Sequence, residues 1–297
     1  MEKKPTVIYI ISDRRSGSTL LENILSKSAE TVSVGELAML KGHIYKEGPG
    51  ELWTWNCSCG KPVMQCEFWS KVLENICGGQ FETKISWPYK SLNILFVSFV
   101  HSLACKYLLK YVQTKKNIAT TETLNTVYKA ISEISNKQII VDASKDPIQA
   151  LAINKCRDVD AKFIWLTRDL KAITYSKLKR WKVNKRSDKG AYETLVDSFL
   201  YKKLCAAVLH CLDKKNTLKL SYEQLAINPQ RELDLICDKM GLQRFSAPGF
   251  MELSNDHTIA GTPGRFEKKP IAADTSWKDF YRHKQILNTL GSFFNSI

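Results

Sequence analysis

Short apolar runs alternate with segments of helical periodicity along most of the chain. Residues 7–11 are apolar and rich in β-branched side chains, which predicts a buried strand, and residues 19–25 place their leucines and isoleucine at helical spacing. Alternating strands and helices favour a parallel sheet with helices packed on it. The same patterns predict further strands at 31–34, 138–141, 162–166 and 217–220, and further helices at 91–113, 121–135, 148–155, 191–212, 229–240 and 283–294.

The domain organisation predicted from this pattern is simple. No Pro/Gly-rich linker interrupts the 297 residues, so we expect all of them to form one domain. A helical and cysteine-rich insertion, at about 53–136, separates the first strand units from the later ones. Its most apolar stretch is 91–113, which His101, Lys106 and Lys110 interrupt. That stretch favours a core helix over an apolar wall for a lipophilic acceptor, and it argues against a membrane span.

The charge balance is strongly basic. Lysines and arginines number 44 against 30 acidic residues, which gives a formal net charge of +14. Such an excess suits an acidic partner, which could be a polyanionic nucleotide, an acidic acceptor, a nucleic acid or an anionic membrane surface. Seven of the cations lie in 177–189 around Trp181. This run predicts a solvated face or an electropositive rim, and no nucleic-acid-binding motif supports the further alternative of a nucleic-acid patch.

The cysteines bear on the compartment and on a metal site. The chain has nine of them, and its N-terminus lacks the features of a signal peptide, so we expect a cytoplasmic protein. Cys57, Cys59, Cys66 and Cys77 leave a metal site open, but the spacing C-x-C-x6-C differs from the CxxC pairs of common zinc folds. We favour a loop that packs over the functional site.

The segment 12–18 joins the first predicted strand to the first predicted helix. Such a junction forms an anion site from backbone N–H groups and the helix N-terminus. It departs from the Walker A pattern GxxxxGK[ST], because Ser18 stands where a lysine would reach a triphosphate, and this argues against an ordinary kinase. Arg14 and Arg15 supply positive charge instead, and the guanidinium of Arg15 suits phosphate or sulfate oxygens.

The run Arg15-Ser16-Gly17-Ser18-Thr19-Leu20-Leu21 resembles the 5′-phosphosulfate-binding loop of sulfotransferases that use 3′-phosphoadenosine 5′-phosphosulfate (PAPS). Later elements extend this resemblance over nearly the full length of the chain. They are Gly35-Glu36, Ser144-Lys145-Asp146-Pro147, Arg168 with Ser176 eight residues further on, and the Gly/Pro-containing loop 257–266 with Arg265. The resemblance is closest to bacterial enzymes of the superfamily, with a site layout similar to that of tyrosylprotein sulfotransferases.

The resemblance implies a fold, a donor and a set of residue roles. The fold would be a P-loop-like three-layer α/β/α sandwich with a mostly parallel central sheet and a helical insertion. PAPS would be the donor, no metal would be required, and Glu36 would be the base, while Arg15 and Lys145 stabilise charge on the sulfuryl and bridging oxygens. The residues expected to bind the nucleotide are Arg14, Arg15, Ser16, Gly17, Ser18 and Thr19 for the 5′-phosphosulfate, and Arg168, Ser176 and Arg265 for the 3′-phosphate.

Three further residues are candidates for the site. Tyr222 follows the strand predicted at 217–220 and is similar to an adenine-proximal residue of the family, but a half-buried tyrosine at a helix start explains it equally well. His43 and His257 are the alternative bases, because other branches of the family use a histidine.

These observations predict a sulfotransferase that acts on a hydroxyl group of a small molecule, a lipid or a glycan. We expect neither a stable nucleic-acid partner nor a transmembrane segment. The alternatives are an ATP-dependent P-loop small-molecule kinase and, with less support, a basic nucleic-acid-binding protein that uses the 177–189 run.

Overall fold

The computed structural model describes residues 4–45, 56–76, 83–84, 101–184, 190–252, 256–261 and 268–297. The strands are β1 Thr6–Ile11, β2 Thr31–Gly35, β3 Ile139–Lys145, β4 Asp160–Thr167, β5 Thr217–Ser221, β6 Phe250–Met251 and β7 Lys269–Pro270. The helices are α1 Ser18–Leu25, α2 Leu40–Tyr45, α3 Glu67–Glu74, α4 His101–Val112, α5 Lys115–Ser135, α6 Pro147–Ile153, α7 Leu170–Asn184, α8 Ala191–His210, α9 Tyr222–Ile227, α10 Pro229–Met240, α11 Trp277–Arg282 and α12 Gln285–Ser296.

Among the described residues, the central sheet has five strands in the order β2-β3-β1-β4-β5, and all neighbouring strands are parallel. β1 is the middle strand, where Thr6 pairs with Ile139 of β3 on one side and with Asp160 of β4 on the other. The carboxyl ends of parallel strands lie at one edge of a sheet, where ligands of such folds bind. That edge gathers the loop 12–17, Glu36, Lys145, Arg168 and Tyr222.

Helices cover both faces of this sheet, because alternate side chains of β1 are buried in two different cores. Val7, Tyr9 and Ile11 join the buried core of one face, together with side chains of α5, α6 and α8. Ile8 and Ile10 join the core of the opposite face, to which α1, α9 and α10 contribute. The predicted three-layer α/β/α sandwich with a parallel central sheet is therefore confirmed.

Some predicted element boundaries were wrong. β3 continues through Lys145 instead of turning after residue 141, because Asp142 is fully buried and hydrogen-bonded within the fold. α5 begins earlier than predicted, at Lys115, where the carbonyl oxygen of the N-cap Thr114 accepts from the N–H groups of Asn117 and Ile118, both at 2.9 Å. α11 and the antiparallel pair β6–β7 were not predicted, because these elements are too short to show a periodicity.

The described part of the predicted insertion packs on the β1 face that carries Tyr9. Within the apolar stretch 91–113, residues 91–100 lie outside the described residues, and Leu108 and Val112 of α4 join the core. Cys105 of α4 forms a disulfide with Cys211 beyond α8, with Cα atoms 5.5 Å apart, a pairing that the sequence analysis did not predict. Among the helices described, none has the length and apolarity needed to cross a bilayer. The single-domain extent and the cytoplasmic location stay predictions.

Candidate functional site

The loop between β1 and α1 has a backbone suited to an anion. Arg15 and Gly17 adopt left-handed conformations, with φ of 73° and 92°, and such residues turn successive N–H groups towards one point. Gly17 is the N-cap of α1 and offers no side-chain acceptor, which leaves the N–H groups of the first turn available to an anion. Of the other predicted loop residues, Ser18 is buried, Thr19 is half-buried and Arg14 is exposed.

The ring of Tyr222 packs against this loop. A Cβ atom at position 17 would lie only 2.3 Å from Cδ2 of Tyr222, so the contact requires a glycine there. The guanidinium carbon of Arg168 lies 4.3 Å from the centre of the same ring, within the range of a cation–π contact. Tyr222 thus forms part of the wall between the loop and Arg168.

Two arginines and a serine that the sequence analysis singled out meet beside the loop. Arg15 donates from Nε to the hydroxyl of Ser176 at 2.9 Å. Arg168 donates from Nη1 to the carbonyl oxygen of Arg15, also at 2.9 Å. Burial lowers the pKa of Arg15, and the positive charges of Arg180 and Arg168 lower it further. An anionic ligand bound here would stabilise these neighbouring positive charges.

Several donors beside the loop lack a partner among the described residues. The hydroxyls of Ser12 and Ser16 and the Nε of Arg168 are buried, and no hydrogen-bond acceptor for them is found there. Buried polar groups are nearly always hydrogen-bonded in native proteins. Ser16 and Arg168 also border a cavity of about 450 Å³ between β4, β5 and α8. Unsatisfied donors next to open space are what a polyanionic ligand would require.

Asp274, an acidic residue that was not predicted to belong to the site, forms an ion pair with Arg168. Asp274 accepts from Nη2 of Arg168 at 3.0 Å, and its own N–H donates to the hydroxyl of Tyr222 at 3.2 Å. Burial tends to raise the pKa of Asp274, but hydrogen bonds from Ser276 and the charge of Arg168 bring it below its usual value. Asp274 lies in an aperiodic segment 106 residues from Arg168, so no local pattern predicts the contact. Arg265 lies outside the described residues.

The 177–189 run begins with a buried lysine, although the sequence analysis interpreted the run as a solvated face or a rim. Lys177 is 7% exposed, and its Nζ lies 2.6 Å from a carboxylate oxygen of Asp13 and 2.9 Å from the hydroxyl of Ser198. Asp13 is part of the β1–α1 loop, so Lys177 fixes that loop to α7 and α8. Residues 185–189 lie outside the described residues.

Glu36 and Lys145 form an ion pair at the carboxyl ends of β2 and β3. The Nζ of Lys145 lies 2.5 Å from Oε1 of Glu36, and both side chains are largely shielded from solvent. The carbonyl oxygen of Lys145 accepts from the N–H of Ser12 at 3.3 Å, which joins the pair to the loop. The structure therefore brings together the predicted base, the predicted catalytic lysine and the predicted anion-binding loop.

Asp142 holds the turn that presents Glu36. Its carboxylate accepts from the hydroxyl of Tyr128 at 2.6 Å and from the N–H of Ser144 at 2.8 Å, and it also accepts from the N–H of Leu37. Complete burial raises the pKa of Asp142 to about 6, although these hydrogen bonds oppose the shift. The strand predicted at 138–141 ended just before this residue, and its role in positioning the Glu36 turn was not predicted.

Three cysteines and a histidine converge at a second place on the same side of the fold. Cys57, Cys59, Cys66 and His257 offer one sulfur or nitrogen atom each, all within 4.8 Å of one another. We call this group the cysteine–histidine cluster. His257 was considered as an alternative base, but its Nδ1 lies 3.2 Å from the sulfur of Cys66. Cys77 lies outside the described residues, and His43 is buried in α2.

Comparison with known proteins gives a consistent picture. The family described as "Sulfotransferase domain" matches residues 5–247. The sulfotransferase domain from the curacin biosynthetic pathway is similar in structure, with a TM-score of 0.58 and 17% identity over 99% of this chain and 98% of that one. The sulfotransferase domain from the Synechococcus PCC 7002 olefin synthase gives a TM-score of 0.51 and 19% identity over 99% and 96%. No curated protein matches the chain significantly. At these identities the structural likeness supports the fold alone.

Proposed function

Since the chain belongs to the sulfotransferase domain family, its reaction is sulfuryl transfer, and we propose that PAPS is the donor and that a hydroxyl group of a small molecule, a lipid or a glycan is the acceptor. The observation that supports PAPS most directly is the group of cationic and unsatisfied donors around the β1–α1 loop. Ser12, Ser16 and Arg168 each offer a buried donor without a described partner. Arg15 and Ser176 complete the group.

The proposed donor carries two separate anionic groups, and the site has two places for them. The loop and the N-terminus of α1 suit the 5′-phosphosulfate, with Arg15 on one side of it. Arg168 and Ser176, on the β4–α7 unit, suit a 3′-phosphate. Arg15 connects the two places, because it donates to Ser176 and accepts from Arg168. A nucleoside triphosphate has no 3′-phosphate to occupy the second place. The loop also has Ser18 at the position where a triphosphate-binding loop has its lysine.

The ion pair of Lys145 and Glu36 provides the groups that the transfer needs. The Glu36 carboxylate would accept the proton of the acceptor hydroxyl as that oxygen bonds to sulfur. Lys145 has three N–H donors, of which one reaches Glu36, and another would stabilise negative charge on the bridging oxygen as the S–O bond breaks. Arg15 would stabilise charge on the sulfuryl oxygens. In this scheme the protein promotes the reaction by positioning the donor and the acceptor and by placing cationic side chains beside the developing negative charge.

Calorimetric titration with adenosine 3′,5′-bisphosphate and, separately, with ATP·Mg²⁺ tests the donor. We expect the bisphosphate to bind more tightly, and Arg168→Ala to weaken its binding by about 10- to 100-fold, since hydrogen bonds to charged groups contribute roughly 1.5–3 kcal/mol. Arg244→Ala is the matched control, because Arg244 also pairs with an aspartate but is exposed. Preference for ATP·Mg²⁺ would support the kinase instead, and an unchanged affinity in Arg168→Ala would contradict the proposed 3′-phosphate site.

A further inference from the structure

We propose that the cysteine–histidine cluster is a structural zinc site with three thiolate ligands and one imidazole ligand. Its four residues belong to two parts of the chain, a loop ending at α3 and the segment around His257. Three sulfurs and a nitrogen form a donor set typical of structural zinc sites, and soft thiolate ligands favour zinc over magnesium or calcium. Nothing in the proposed sulfuryl transfer requires this ion, so the proposal stands independently of it.

The separations among the donor atoms of Cys57, Cys66 and His257 fit a tetrahedral ion, and the sulfur of Cys59 lies within 4.8 Å of all three. Zinc lies about 2.3 Å from sulfur and roughly 2.0–2.1 Å from nitrogen, so tetrahedral ligands stand about 3.8 Å apart for two sulfurs and about 3.6 Å apart for sulfur and nitrogen. The sulfurs of Cys57 and Cys66 are 3.7 Å apart. The Nδ1 of His257 lies 3.6 Å from the first of these sulfurs and 3.2 Å from the second. A disulfide would need a separation of about 2.05 Å between the two sulfurs.

The backbone around the cysteines is shaped to present their sulfur atoms. Cys57 to Gly60 form a tight turn, in which the N–H of Gly60 donates to the carbonyl of Cys57 at 2.9 Å and Gly60 has a positive φ of 85°. The sulfur atoms also accept hydrogen bonds from backbone N–H groups, which belong to Cys59, Lys61 and Trp69. These hydrogen bonds hold the three sulfur atoms in place around one point.

His257 is held in place by the same loop and by α3. Its ring stacks on Phe68, with centroids 5.0 Å apart and planes 7° apart. Its carbonyl oxygen accepts from Nε1 of Trp69 at 2.7 Å. The next residue, Thr258, makes two hydrogen bonds to Ser58, both at 2.9 Å. Its carbonyl oxygen accepts from the N–H of Ser58, and its own N–H donates to the hydroxyl of Ser58. The nitrogen ligand is thus oriented before any ion binds, which lowers the entropy lost on binding.

The ion would be structural because protein ligands fill all four tetrahedral positions and leave none for a substrate. Its effect reaches the reaction centre through Ile259, two residues beyond the histidine ligand. The N–H of Ile259 donates to Val34 at 3.1 Å, and its carbonyl accepts from the N–H of Glu36 at 2.9 Å. A Cβ atom on Gly35 would lie 2.1 Å from that carbonyl oxygen, so the contact is close. The zinc would fasten the segment that supports the backbone of Glu36.

The metal content of the protein, purified without chelators, provides the first test. We expect one zinc ion per chain by mass spectrometry, and X-ray absorption should give three sulfur neighbours at about 2.3 Å and one nitrogen at about 2.0 Å. A reduced chain that takes up no zinc on titration would overturn the proposal. A disulfide between Cys57 and Cys66 in the purified protein, with no zinc bound, would overturn it as well.

Substitutions of the proposed ligands test which residues bind the ion. Cys59 is exposed, so Cys59→Ser disturbs packing least, and His257→Gln removes the ligand from the distant segment. We expect both variants to lose zinc to a weak chelator that leaves wild-type protein loaded, whereas Cys237→Ser, which changes a buried free cysteine elsewhere, retains it. Circular dichroism checks that each variant is folded. Folded Cys59→Ser and His257→Gln proteins that retain zinc as wild type does would overturn the assignment of the ligands.

Discussion

Lys145 shows how the backbone of one residue can set the geometry of a site. It is the last residue of β3 and has a φ of 73°, which is uncommon for any residue other than glycine. This conformation aims its ammonium group at Glu36 and its carbonyl oxygen at the N–H of Ser12. Such strain persists only where the surrounding structure holds it, and it is concentrated at functional sites.

The role of Glu36 can be separated from the binding of the donor. In Glu36→Gln an amide oxygen still accepts from Lys145, but the side chain no longer takes up a proton. We expect kcat to fall by about 10²- to 10⁴-fold, the usual contribution of a general base, while the affinity for adenosine 3′,5′-bisphosphate stays unchanged.

The kinetic measurement uses an acceptor that supports turnover by wild-type protein in a panel of phenols, sterols and sugars. Glu74→Gln is the control, because Glu74 is an exposed glutamate on α3. Retention of the wild-type rate by Glu36→Gln would remove Glu36 from the mechanism.

At the scale of elements, α7 fixes the β1–α1 loop through consecutive residues. Ser176 accepts from Arg15, and Lys177 pairs with Asp13, so two points of the loop are fastened to one turn of the helix. The Nζ of Lys177 also reaches Ser198 of α8. The loop conformation therefore depends on helices that lie more than 150 residues away in the sequence.

Lys177→Met tests this fastening. Methionine preserves the aliphatic length but leaves the Asp13 carboxylate shielded and unpaired, and breaking such a pair lowers the free energy of unfolding by roughly 3–5 kcal/mol. Lys179→Met, on the exposed side of the same helix, should have little effect. Urea denaturation at neutral pH measures both. Adding Asp13→Asn to Lys177→Met should recover part of the loss, and equal stabilities of the two lysine variants would contradict the assignment.

At the scale of the whole molecule, Asp142 connects two layers of the sandwich to the site edge. It accepts from Tyr128 of α5 and from Ser144 of its own strand, and it also accepts from Leu37, next to Glu36. The hydroxyl of Ser144 in turn accepts from the N–H of Ala38 at 2.9 Å. A single buried carboxyl group therefore joins a helix, a strand and the Glu36 turn.

This carboxyl group gives stability a defined pH dependence. Burial raises its pKa from 3.8 to about 6, so between these values the folded chain keeps a proton that the unfolded chain releases. Its stabilising contribution is complete below the unfolded pKa and is lost as pH rises through about 6. At roughly 1.4 kcal/mol per pKa unit the loss is about 3 kcal/mol.

Asp142→Asn removes this titration while preserving the shape of the side chain. The stability of the variant relative to wild type, from urea unfolding at several pH values, should therefore rise by about 2 kcal/mol between pH about 4 and about 6.5, which is most of the total. Asp279→Asn, at an exposed site, should show no such trend. A difference between Asp142→Asn and wild type that does not vary with pH would contradict the prediction.

The sequence predicted those parts of the molecule that have a local signal. β1, the loop and α1 are consecutive, and Arg168 and Ser176 stand eight residues apart across one strand–helix junction, so their pattern is visible in a short window. Asp274 and His257 give no such signal, because each meets its partners across more than 100 residues. The strand predicted at 138–141 stopped short of Asp142 because a polar residue usually indicates a turn, and only the surrounding fold shows that Asp142 is buried within β3.

The strand order has a consequence for synthesis on the ribosome. β3 lies between β1 and β2, so β2 gains its only described strand partner after residues 139–145 have been made, roughly 100 residues later. At about 5–20 residues per second this interval is roughly 5–20 seconds. During this interval β2, which leads to Glu36 and is buried in the folded protein, lacks its described strand partner. Slow, non-local pairing of this kind exposes a nascent chain to aggregation and makes it a natural client of chaperones.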